Sequence, residues 1–139
     1  MKTKKDFTYG RAILFGVATE LVLVLVQYLL LAVYQMRNPG TPFSFNNEYM
    51  LSNGFYIFLI PGFILYATVV FLIMQKFIIT SPAYLLVFLL AAAVVEVGFY
   101  LSIAADYRGP FLYSVLDKVI GTALGVIGYF AVGKSSDVG

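Results

Sequence analysis

The sequence predicts an all-α fold: an integral membrane four-helix antiparallel bundle. Composition is the first observation behind this. Hydrophobic residues make up 61% of the 139-residue chain and charged residues only 12%, about half the charged share of an ordinary soluble domain. The second is the placement of the apolar residues in four segments, roughly 12–35, 53–75, 83–105 and 113–133, each close to the ~20 helical residues that cross the apolar core of a bilayer. The third is that most connections are short, so consecutive helices are expected to be antiparallel neighbours. Residues 1–139 then form a single transmembrane domain with no room for a separate soluble one.

Lys2, Lys4, Lys5 and Arg11 precede the first segment. A secretory signal has a shorter apolar stretch and a small-residue cleavage site. Here the run exceeds 20 residues, contains Glu20 and ends in Val33-Tyr34-Gln35-Met36, so it reads as a retained helix. The connection Met36–Ser52 carries Pro39-Gly40 and Pro42, which forbid helix. Its aromatic residues Phe43, Phe45 and Tyr49 suit either the membrane interface or a lid over the outer mouth of the bundle. The second segment contains Pro61-Gly62 near its middle, where a kink is expected. The third carries Glu96, and the fourth carries Lys118 and the run Gly121-Thr-Ala-Leu-Gly125 followed by Gly128. Gly121, Gly125 and Gly128 fall within about 60° of one another on a helix, a face that another backbone can approach closely. A helix of the same chain, a second copy and a different membrane protein all suit that face.

Basic residues concentrate in cytoplasmic segments. With both termini inside, Lys2, Lys4, Lys5, Arg11, Lys76 and Lys134 lie on the inner side, against Arg37, Arg108 and Lys118 on the outer. The expected location is a plasma or inner membrane with both ends cytoplasmic. The small net charge of +2 and its scatter between termini and loops argue against nucleic acid. Histidine and cysteine are both absent, which removes the parts for thiol chemistry, zinc hydrolysis, Ser-His-Asp catalysis and the usual haem and iron–sulfur ligation. No phosphate-binding Gly-x-x-x-x-Gly-Lys-Ser/Thr loop occurs. The expectation is a protein that is not an enzyme and has no cofactor or metal.

A carboxylate inside an apolar helix is costly enough to need a reason. At 1.5 Å rise per residue, Glu20 falls about 5 Å to the inner side of the midplane and Gln27 about 6 Å to the outer side. Seven residues apart, they share one face of the first helix with Gly16 and Tyr34. Glu96 falls about 4 Å and Lys118 about 7 Å to the outer side, so an ion pair between them is expected. Glu20 has no cation at its estimated depth and is expected to bond Tyr66 or Thr68 on the second helix. Such a carboxyl can take and release a proton, or release it to bind a cation. Glu20, Gln27, Glu96, Lys118 and Tyr66 are therefore the candidate proton, cation or substrate-binding residues of a small transporter or channel component. It would be surrounded by lipid and work as a homo-oligomer or with a membrane-protein partner on helix four. In the alternative, the glycine face docks a larger complex, the glutamates only join helices, and the chain is a non-enzymatic accessory or scaffold subunit.

Overall fold

A computed structural model describes residues 3–37, 39–40, 59–102 and 111–137, with the side chains of 111–114 and 134–137 outside that description. In chain order the described elements are β1 (Lys5–Asp6), α1 (Tyr9–Arg37), α2 (Ile60–Lys76), β2 (Phe77–Ile78), α3 (Ala83–Ser102) and α4 (Phe111–Asp137). The expected lid or interfacial segment around Phe43, Phe45 and Tyr49, the second-segment residues 53–58, the end of the third segment at 103–105, and Arg108 all lie outside the described residues.

The helix ends follow local chemistry. Thr8 caps α1, its Oγ1 accepting from the Arg11 backbone N–H at 3.2 Å, which satisfies one of the orphan donors of the first turn. Ser81 does the same for α3 through the Ala83 N–H at 3.2 Å, next to Pro82. Pro61 stands in the first turn of the described part of α2, and the expected kink there, which depends on residues 53–58, lies outside the described residues. The neighbouring Gly62 has a packing role: a Cβ there would lie 2.5 Å from the Asp117 Cβ and 2.8 Å from its Oδ2.

Two short strands were not expected. β1 and β2 pair in parallel, Lys5 opposite Phe77 and Asp6 opposite Ile78, and the Phe7 N–H continues the ladder to the Ile78 carbonyl at 3.0 Å. The pairing buries Phe7 among Phe15, Phe77 and Tyr84. The basic lead-in is thereby stitched to the α2–α3 junction by an aromatic cluster, and Arg11 covers the Phe77 ring at 5.3 Å.

The closest packing joins alternate helices, not consecutive ones: α1 lies along α3, and α2 along α4. Small residues set both contacts. A Cβ on Gly16 would strike the Phe88 carbonyl oxygen and come within 3.1 Å of the Ala91 Cβ. On α4, a Cβ at Gly121 would lie 2.7 Å from the Tyr66 Cβ, and one at Gly125 would lie 2.6 Å from the Ala67 carbonyl oxygen. The glycine face is thus occupied by α2 of the same chain. Gly128 stands looser, since a Cβ there would lie 3.8 Å from the Phe71 ring.

Three described helices, α1, α3 and the Val115–Gly133 stretch of α4, are long and apolar enough to cross a membrane, while α2 is apolar over 17 described residues. Large apolar side chains such as Leu25, Leu86, Val94 and Ile127 point outward and are exposed. Polar groups lie inside: Glu20, Asp117, Lys118 and Thr122 are buried. That inversion of the usual soluble pattern is what positions the candidate site.

Candidate functional site

Each of the four helices contributes to one polar cluster in the interior. Lys118 of α4 is its centre, with Nζ at 2.9 Å from Glu96 Oε2 of α3, 3.5 Å from Glu20 Oε2 of α1 and 3.5 Å from Asp117 Oδ1 of its own helix. Tyr66 of α2 donates its hydroxyl to Glu20 Oε2, and its ring lies 5.7 Å from the Lys118 ammonium, within cation–π range. The Glu20 side chain is fully buried, those of Asp117 and Lys118 nearly so, and the Glu96 side chain is 19% exposed. Glu96 is thus the most solvent-accessible carboxyl of the three.

Helix register explains how these residues meet. Gly121 lets α4 approach at the Cβ of Tyr66, so Lys118, less than one turn away, reaches the Tyr66–Glu20 level along its flexible stem. The Lys118–Glu96 contact expected from depth is present. The separation of Glu20 from any cation is not: aligning the helices by their midpoints put Lys118 too far toward the outer side, whereas packing at Tyr66 brings it to Glu20. Lys118 therefore belongs to the interior rather than to the outer set of positive charges.

Of the two hydroxyls proposed as partners for Glu20, Tyr66 is the one used. Thr68 is exposed and bonds back to the Ile64 carbonyl at 2.7 Å. Gln27 is half-buried two turns along α1 from Glu20 and has polar or ring contacts of its own. Asp117 was missed by sequence reasoning, although a signal for it existed. It adjoins Lys118, within three turns of helix from Gly125, and an acid beside a lysine in an apolar segment merits the same question as Glu20.

On the β1–β2 side the cluster is sealed by apolar residues, with Phe88 edge-on to Tyr66 at 5.9 Å and Ala12, Val70, Ile73 and Ala92 buried around it. A groove of about 280 Å³ between α2 and α4, lined by Ala67, Thr68, Phe71, Leu72, Leu124 and Gly125, is apolar and includes none of the cluster residues. Among the described residues no group of three His, Cys, Asp or Glu side chains is arranged to hold a metal ion.

Chemically, the arrangement offers one ammonium to three carboxyls on different helices. A proton gained or lost at one of them changes which carboxyl attracts Lys118, and so couples protonation to helix contacts. Comparison with protein-family models, with curated proteins and with solved structures finds no match, and the site is read from its geometry alone.

Proposed function

We propose that the chain is a small proton- or cation-linked transporter or channel component, a non-enzymatic four-helix antiparallel bundle set in a plasma or inner membrane. The observation that carries this reading is the Lys118 ammonium shared by Glu20, Asp117 and Glu96 inside an apolar shell. Ionisable groups at such positions are expensive, and function is the default reason to keep them. If the cluster served only to join helices, a neutral hydrogen bond would do so at lower desolvation cost.

In the working cycle a proton arriving at Glu20 weakens its hold on Lys118 and leaves the ammonium to Glu96. Loss of that proton draws it back toward α1. Because Glu20 and Glu96 stand on the closely packed α1 and α3, and Lys118 on the α2–α4 pair, the exchange alters the contact between the two pairs. Glu20→Gln is expected to preserve the fold and the oligomeric state, since the amide keeps the shape and can still accept from Tyr66, but to abolish pH-dependent flux in proteoliposomes. Glu20→Asp should retain part of it. A Gln variant with full flux would contradict the proposal. A wild-type protein that moves neither protons nor common or lipophilic cations, and purifies as a stoichiometric part of a larger complex, would assign it to the accessory subunits.

The proposed orientation places both termini in the cytoplasm. Without Lys118 the outer side keeps two of the three positive charges first assigned to it, so the bias strengthens. Ser44→Cys should react with an impermeant thiol reagent in intact cells and Ser135→Cys should not. The reverse pattern overturns the orientation.

A further inference from the structure

We infer that the ligand of this site is the proton, bound two per chain on Glu20 and Asp117, while Glu96 stays ionised against Lys118. The inference deepens the transport reading and rests on its premise that the bundle interior is surrounded by hydrocarbon.

Charge balance comes first. The groups that face one another are Glu20 from α1, Tyr66 from α2, Glu96 from α3, and Asp117 and Lys118 from α4. Among the described residues Lys118 is the one buried cation. Fully ionised, the described residues of the cluster would carry a net charge of −2, with Glu20 and Asp117 buried, a state that buried groups avoid by neutralising.

Geometry then decides where the two protons lie. Glu96 makes the shortest contact with the ammonium, 2.9 Å, a charge-assisted distance, and its side chain retains access to solvent. It is the natural counterion. Glu20 accepts from Tyr66 on Oε2, but its buried Oε1 has no hydrogen-bond donor among the described residues. With no donor at that oxygen a buried negative charge has little to stabilise it, and a neutral acid costs less to bury there. Asp117 is buried beside Gly62, and its one cationic contact among the described residues, at 3.5 Å, is to an ammonium already closer to Glu96. A metal ion fits less well, because the ammonium stands between the carboxyls and no three of them converge as ligands among the described residues.

The test is infrared spectroscopy of the full chain in lipid nanodiscs at neutral pH, reading the carbonyl band of protonated carboxyl groups and its shift in D2O. Two protonated carboxyls per chain are expected. Glu20→Gln and Asp117→Asn should each leave one. Lys118→Met should raise the count to three, because Glu96 then loses its counterion and takes a proton. Absence of any protonated carboxyl in the wild type, which needs no variant to fold, overturns the inference, as does a count in Lys118→Met no higher than in the wild type. Displacement of the bands by added sodium, potassium or calcium at constant pH would also overturn it, by making a metal cation the ligand. Flux without protonated carboxyls sinks the proton assignment and spares transport, while protonated carboxyls without flux do the reverse.

Discussion

Lys118→Met is expected to destabilise the protein by up to about 3–5 kcal/mol, the range seen when one partner of a buried ion pair is removed, because Glu96 must then either stay charged without a counterion or take up a proton. The three carboxyls around Nζ lose their shared cation at once. Glu96→Gln alone should also be harmful, since it removes the closest counterion of the ammonium. Combined, the two changes leave neither charge stranded, so the double variant should be more stable than the summed single losses imply. Thermal unfolding in mild detergent reads this as a double-mutant cycle, with a coupling expected in the range of about 0.5–3 kcal/mol for contacting residues. Lys4→Met is the control, because Lys4 is exposed and, among the described residues, meets Tyr129, its Nζ at 3.5 Å from the hydroxyl. Additive losses for Lys118 and Glu96 would mean that the two side chains do not meet in the working protein.

Gly125→Leu should come close in effect by a different route. A Cβ at this position would already lie 2.6 Å from the Ala67 carbonyl oxygen and 2.9 Å from the Val70 Cβ. The first of these is backbone and cannot rotate away, so α2 and α4 must separate. Overpacking of this kind costs about 1–3 kcal/mol or more, and the separation would also loosen Tyr66 from Glu20, because Gly121 sits one turn away against the Tyr66 Cβ. Gly128→Ala, with 3.8 Å to its nearest neighbour, should be tolerated, as should Ile127→Leu on the exposed face. The thermal midpoint in detergent separates these cases. Equal tolerance at Gly125 and Gly128 would show that the close α2–α4 contact is not kept in solution.

The helical class and most helix positions were legible because they depend on local quantities. Long apolar runs, the breaker at Pro39-Gly40 and the expense of Glu20 and Glu96 in such runs can all be judged one segment at a time. The glycine spacing on α4 likewise announced a close approach, and the lysine stem made a contact with Glu96 geometrically open. What stayed hidden depends on how helices slide and turn against one another. Short connections suggested consecutive neighbours, yet close packing at Gly16, Gly121 and Gly125 pairs α1 with α3 and α2 with α4. The same packing set the register that carries Lys118 to Glu20, drew Asp117 into the cluster beside Gly62, and let β1 meet β2. A residue's type and depth along its own helix are properties of the chain, whereas which side chains share an ammonium depends on the relative shift of helices, and that is decided only when their small residues come into contact.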